Sequence, residues 1–353
     1  MKLNYKLLGI TLSLLLLFST GFSFAAEKVY KLKFTHHMPE TSFAHNEVMV
    51  PYCKSIEKAT NGRVQITVYG GQSLCKAFDA WDCVKSGVAD MGLFSHGFAP
   101  GQYPVTDVMS LPMLPFKTSA DQAVALCDLY DKYPEVRKEF EDVHIAVFMI
   151  CGPYFTASTK DKGRIYSPDD FKGMKLRALG GPPTTTTKLL GGEPMLIPAG
   201  EVFSSLDKGI LDAVAFPPDG HVAFKVGEVA PLFNKMGLWS LHQSFVMNKK
   251  VWDSMPADIQ EAINSVSGRK GARWVTNMWY GHGYDQEWEA ELERLKKEGF
   301  DPVVYTPAEQ QIQTIREKGA MPVWNAWVKD MEKRGIDGKE ILNYVLELAE
   351  KSQ

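Results

Sequence analysis

"VKSGVADMGLF", Val84 to Phe94, and "LDKGILDAVAF", Leu206 to Phe216, align without a gap. Each reads as the end of a helix, a glycine cap, a branched residue, and an aspartate that opens a strand ending in phenylalanine. Helix–glycine–strand is a common connection, so chance similarity and two lobes of one plan both stay open. Working outward, Tyr30, Leu32 and Phe34 alternate with Lys31 and Lys33, which predicts a strand. Met49, Tyr52, Cys53, Ile56 and Ala59 predict a helix over 43–60, ended by Asn61-Gly62. Val64 to Tyr69 is a second strand, Phe78 to Ser86 a second helix and Ala89 to Phe94 a third strand. Strands alternating with helices predict βαβ units and largely parallel sheets.

A second set of such units begins near Gly173. In "FKGMKLRALG", Phe171 to Gly180, the apolar Met174, Leu176 and Ala178 alternate with Lys175 and Arg177. That is a short strand with one face on a core. Gly180-Gly181 and Pro182-Pro183 stop it, which leaves Arg177 at a strand end. Open α/β sheets bind ligands outside the carboxyl ends of their strands. A guanidinium there grips a carboxylate with two prongs and keeps its charge. "PTTTTK", Pro183 to Lys188, places hydroxyls at a helix start, where they cap backbone N–H groups or meet an anion.

Two extended segments, Ile145 to Thr159 and Leu238 to Lys249, are long enough to cross between lobes. Pro256 to about Lys297 reads as one long helix bracing both lobes, started by Pro256 and ended by Gly299. A short strand at Pro302 to Tyr305 and two more helical stretches close the chain. The expected lobes are residues 26–152 plus roughly 246–300, and 153–245 plus roughly 301–353.

Lys2 and Lys6, the apolar run Leu7 to Phe18, and Ser23-Phe24-Ala25 form a secretory signal peptide over residues 1–25. The mature chain is therefore expected to be soluble and exported. The formal net charge is -3, and no basic face suggests nucleic acid. The chain has 5 cysteines, and an odd number leaves at least one unpaired in an oxidising compartment. Cys53, Cys127 and Cys151 carry no pairing signal, and most cysteines are expected to be buried fillers. Cys75 and Cys83 are the closest pair, although a helix covering that interval would hold them too far apart. No C-x-x-C spacing suggests zinc, and His36-His37, adjacent on a strand, point to opposite faces. Neither a G-x-S-x-G elbow, a P-loop nor H-E-x-x-H is present, so no metal, cofactor or catalytic set is expected.

The chain resembles the solute receptors of tripartite ATP-independent periplasmic (TRAP) transporters, the C4-dicarboxylate-receptor-like (DctP) family. The resemblance rests on "HHMPETSFAHN", "ATNGRV", "GGQSL", "VKSGVADMG", "DDFKGMKLRALG", "LGGEPMLIPAGEVFSSLDKGILDA" and "FPPDG", taken in order. It implies a two-lobed periplasmic binding protein fold with a ligand cleft between the lobes. It also implies a role as a monomeric receptor that docks on small and large membrane subunits driven by an ion gradient.

By that resemblance Arg177 pairs with the acid group of the ligand. Several members carry a second arginine on the first crossing segment, where this chain has "PYFTAS". Several carry an asparagine at the place of Phe216. A monoacid with an apolar or aromatic body fits these substitutions better than a C4-dicarboxylate, and a small sulfonate is the alternative anion. Phe216 and Phe155 are expected to pack the body of the solute. Ser95, His37 and Thr156 are candidates for polar contacts. Phe94, Trp239 and His242 are read either as cleft or as core. The rival readings are the receptor of an ATP-driven importer or sensor, and a periplasmic enzyme.

Overall fold

The computed structural model describes residues 28–281 and 284–353; the expected signal peptide lies outside them. The strands are β1 (Tyr30–Thr35), β2 (Val64–Tyr69), β3 (Met91–Ser95), β4 (Val143–Cys151), β5 (Phe155–Ser158) and β6 (Lys175–Arg177). They continue with β7 (Glu193–Met195), β8 (Ala213–Phe216), β9 (Leu232–Asn234), β10 (Leu241–Asn248) and β11 (Val303–Tyr305). One sheet has the order β2-β1-β3-β10-β4 and the other β11-β9-β5-β8-β6-β7. Each sheet holds one strand that runs against its neighbours. In the first sheet it is β10, antiparallel to β3 and β4. In the second it is β5, antiparallel to β8 and β9.

These two strands arrive from the opposite lobe. The chain leaves β4 and enters β5 within a few residues, and it leaves β9 and enters β10 after a similar span. The two crossings touch, because the Tyr154 N–H donates to the Trp239 carbonyl at 2.8 Å. Gly152 is required there: its φ is +149°, and a Cβ would lie 2.8 Å from the Cβ of Ser240. The expected fold, α/β with two lobes, a cleft and two crossing segments, is the observed one.

The repeated sequence is a repeated structure. Gly87 (φ +84°) and Gly209 (φ +68°) each follow a short helix, Ala80–Ser86 and Val202–Asp207. The Asp90 carboxylate accepts from the Lys33 N–H at 2.8 Å, and the Asp212 carboxylate accepts from the Lys175 N–H at 2.9 Å. The backbone bonds match as well, Asp90 N–H to Lys33 carbonyl and Asp212 N–H to Lys175 carbonyl. Each aspartate therefore locks the start of its strand to the neighbouring parallel strand, so β1 and β3 correspond to β6 and β8.

The long periodic run after Pro256 departs from expectation. It forms three helices, Ala257–Val266, Gly268–Tyr280 and Asp285–Lys297. Ser267 (ψ -155°) and Gly268 (φ +54°) break the first joint, and Gly281 (ψ -149°) ends the second helix. The apolar period carries on across both joints, so periodicity alone does not reveal them. The middle helix packs on β4 and on the helix Ser119–Lys132 of the first lobe, and it reaches the short helix Pro218–Ala223 of the second. The brace is real but jointed. After β11, which joins the second sheet, Trp324 and Trp327 donate to the carbonyls of Pro112 and Pro104 in the first lobe. The last helix, Gly338–Glu350, lies against Ser119–Lys132. The C-terminal helices thus cover the first lobe from a base on the second.

Cys75 and Cys83 form a disulfide, while Cys53, Cys127 and Cys151 are free and buried. The helical interval that stood against the pair starts only at Ala80, so Cys75 lies in the loop and its Cα comes within 6.4 Å of that of Cys83. Among the described residues no helix is long and apolar enough to cross a membrane.

The two aspartate locks give a direct test of the repeat. Asp90→Ala and Asp212→Ala each leave a strand N–H without its partner, and each is expected to lower unfolding stability by about 1–3 kcal/mol in urea titrations. A loss in one lobe and none in the other would break the equivalence.

Candidate functional site

Arg177 ends β6, and Leu176 before it faces the core. Its side chain is only 1% exposed, and His37, Ser95 and Phe98 of the first lobe share its cavity wall. Two glycines permit that approach. A Cβ on Gly180 (φ +28°) would lie 2.5 Å from the Gly97 carbonyl oxygen, and one on Gly181 (φ +47°) 2.8 Å from the Asp107 carboxylate. Both neighbours belong to the first lobe.

The guanidinium Nε donates to the Ile197 carbonyl at 2.8 Å. Its carbon sits 4.3 Å from the centre of the Phe216 ring, a cation–π arrangement. Its Nη1 is buried and has no partner, and among the described residues no carboxylate forms an ion pair with Arg177. Burial lowers its pKa to about 10, so it keeps its charge at neutral pH. A charge taken out of water in this way costs several kcal/mol unless an anion meets it.

Arg177 opens into a cavity of about 30 Å³ between the lobes. Of the expected residues, Phe216, Ser95 and His37 share this wall. The His37 ring stands edge-on to Phe98 at 5.4 Å. Burial first, and then the charge of Arg177, hold its pKa down near 4, so it is neutral at pH 7. The Ser95 hydroxyl accepts from Gln243 Nε2 at 3.1 Å, and Gln243 Oε1 accepts from the Tyr280 hydroxyl at 3.0 Å.

The other expected residues lie elsewhere. Phe155 and Trp239 line a larger cavity of about 510 Å³ beside the crossing segments. Phe155 also meets Trp288 at 5.6 Å in the core of the second lobe. Thr156 lies within the sheet between Ala215 and Asn234 and lines neither cavity. His242 is buried in the first lobe, bonded to the Ser110 hydroxyl at 2.7 Å and set against His96. Phe94 packs on Trp81 in the core, so it is Ser95, one residue later, that faces the cleft.

No side chain caps the helix carrying "PTTTTK", and three of its four threonines bond within it, Thr185 donating to the Gly181 carbonyl. Thr186 and Thr187 donate backward to the carbonyls of Pro182 and Pro183 in the helix Gly181–Leu189. His36 turns away from His37 and pairs with His45 at 2.9 Å.

Sequence reasoning missed Tyr154, Asp219, Trp279 and Tyr280, which also line the cavity. Tyr154 follows the crossing itself, and Asp219 stands in "FPPDG". Trp279 and Tyr280 come from the bracing helix and stack at 4.7 Å. Asp219 Oδ2 accepts from Trp279 Nε1 at 2.7 Å, which ties the lobes together. Burial raises the Asp219 carboxyl to about 7.

The sequence model described as bacterial extracellular solute-binding protein, family 7, matches residues 34–337. The chain belongs to that family. It is 25% identical over 300 residues to a protein named outer membrane transporter protein TsaT, from Comamonas testosteroni, covering 84% of this chain and 85% of that one. A TRAP solute-binding protein from Rhodoferax ferrireducens, crystallised with copurified benzoate, superposes with a TM-score of 0.83 at 24% identity. The match covers 92% of this chain and 98% of that one. A TRAP periplasmic solute-binding protein from Bordetella bronchiseptica, with bound (R)- and (S)-mandelate, gives 0.80 at 25% identity, over 92% and 99%. The chain is a solute-binding transport receptor of the TRAP type.

The buried titratable groups set a pH optimum for stability. Burial holds His36 and His242 near 3, His37, His144 and His221 near 4, and His96 well below its usual range. The unfolded histidines bind protons below about 6.5, so stability is lost as pH falls through that value. Burial raises Asp107 to about 8 and Glu139 and Asp219 to about 7, so these cost stability as pH rises from about 4 to 8. The histidines outnumber the carboxyls on the acid side, and only the carboxyls act above 6.5. Urea midpoints are expected to peak near pH 6–7 and to fall on both sides; a midpoint rising steadily toward pH 5 would contradict this burial pattern.

Proposed function

We propose that this receptor works as a monomer in the periplasm, captures a small organic monoacid with an apolar or aromatic body, and hands it to the small and large TRAP membrane subunits. The observation that carries the reading is Arg177: a buried guanidinium with an unpartnered Nη1 and a phenyl ring against its face. A carboxylate would supply the missing anion, with Ser95 within the same wall, and Phe216 would lie along the body of the solute. The mandelate bound by the Bordetella receptor is an acid of this kind. We read the chain as a receptor and not an enzyme, since Arg177, Ser95 and His37 form no nucleophile–base pair.

Charge decides against diacids. Besides Arg177 the cavity wall holds no lysine or second arginine, His37 is neutral, and Asp219 adds negative charge as it ionises. A second carboxylate would be desolvated with no partner. The cavity is also small: an engineered pocket of about 150 Å³ is needed for benzene. Loading therefore requires the lobes to part at the crossing segments and close again over the solute.

Isothermal titration with benzoate, phenylacetate and succinate tests the reading. The aromatic monoacids are expected to bind tighter than succinate, and Arg177→Ala to weaken them by at least about tenfold while the protein stays folded. Arg177→Lys should also bind worse, because an ammonium lacks the two-pronged geometry. Succinate binding tighter than every monoacid, or an unchanged dissociation constant in Arg177→Ala, would overturn it.

A further inference from the structure

Asp219 is the one acidic side chain in the Arg177 cavity wall, and it is 4% exposed. Its Oδ2 is satisfied by Trp279 Nε1, but its Oδ1 is buried and has no partner. Buried polar atoms in folded proteins nearly always find a hydrogen bond, so an orphan facing a ligand cavity calls for a donor. Asp219 also lines a second cavity of about 210 Å³, walled by Met38, Phe43, Tyr284 and others. Met38 and Asp219 belong to both walls, so the two spaces abut at this carboxyl. Arg177 and Asp219 do not pair with each other, which leaves an anion anchor and a free acceptor in one wall.

The geometry points to a solute that carries a hydroxyl as well as its acid group, with the hydroxyl donating to Asp219 Oδ1. The inference rests on the monoacid reading above and narrows it to hydroxylated acids. Arg177 takes the carboxylate, Phe216 lies along the apolar body, and Asp219 accepts from the hydroxyl on the side of the second cavity. An acid lacking the hydroxyl would bury the Oδ1 again without a partner, and such losses discriminate more strongly than the loss of a methylene. The neutral Ser95–Gln243–Tyr280 chain is already satisfied within itself and makes no comparable demand.

The experiment compares two matched pairs by calorimetry on the full mature protein at pH 8, where the Asp219 carboxyl is ionised and its Oδ1 can only accept: benzoate with 3-hydroxybenzoate, and phenylacetate with mandelate. In at least one pair the hydroxylated acid is expected to bind about tenfold tighter. Asp219→Ala also removes the acceptor of Trp279, so the readout is the ratio within each pair: the hydroxylated acid should lose its advantage and bind within about twofold of its parent. Asp219→Asn guards against a folding defect. Its amide keeps an acceptor for Trp279 and turns the cavity-facing atom into a donor, so the preference should shrink here too, with an unaltered melting curve. If neither hydroxylated acid outbinds its parent, or if the preference survives in both variants, the inference is overturned and the monoacid reading stands. If none of the four acids binds, or binding ignores Arg177→Ala, the monoacid reading fails and the inference falls with it.

Discussion

Arg177 carries a full charge into a place where water barely reaches it, with one nitrogen tied to the Ile197 carbonyl and another left without a partner. A protein has little reason to bear that desolvation for stability alone, since an apolar residue of similar size is usually better tolerated. Everything around the guanidinium serves to keep it dry and aimed. β6 presents it, the Phe216 ring covers one side, and Ser95, His37 and Phe98 of the other lobe close over it. On the proposed function this charge is what would favour an anion, since the remaining groups in the wall are neutral or acidic.

That enclosure depends on how the lobes exchange strands. Each sheet is completed by a strand whose chain has just left the other sheet, so neither lobe can form its full sheet without the crossings. The crossings are held against each other at Gly152, Tyr154, Trp239 and Ser240. On the cleft side, contact between Gly97 and Gly180 and the bond from Trp279 to Asp219 hold the faces close. On the proposed loading motion these two short, mutually bonded segments would be the hinge, where small shifts become larger openings at the cleft mouth. The jointed brace fits the same picture, since separate helices follow the two lobes more easily than one rigid rod.

Much of this was legible in the chain. Period-two alternation located β1, β2 and β6, because a half-buried strand must alternate. The duplicated helix–glycine–aspartate stretch left chance similarity and two lobes of one plan both open, and the structure decides for the second: Asp90 and Asp212 perform the same backbone lock. Arg177 stood out because a basic residue at a strand end, followed at once by glycines and prolines, has few structural uses. Ser95 and His37 were also found at the cavity, one just beyond the repeat and one just beyond β1.

The sequence by itself determined the α/β class, the paired lobes, the crossing segments and an arginine at a strand end, proposed above as the anion anchor, since each follows from local periodicity or from the chemistry of one side chain. Only the tertiary structure decided which neighbours meet that anchor. Trp279 and Tyr280 lie about a hundred residues downstream of Arg177 on a helix whose breaks at Ser267 and Gly281 leave no mark in the apolar period. Phe155, Thr156, Trp239 and His242 carry the right chemistry near the right segments, yet the fold of the crossings turns them to another cavity, into the sheet or into the first lobe. Asp219 stood inside the family stretch "FPPDG" but was not singled out, because an aspartate after two prolines reads as an ordinary turn. Its burial, its bond to Trp279 and its unpartnered oxygen exist only once two lobes close on one another, and contact between distant segments is what periodicity cannot record.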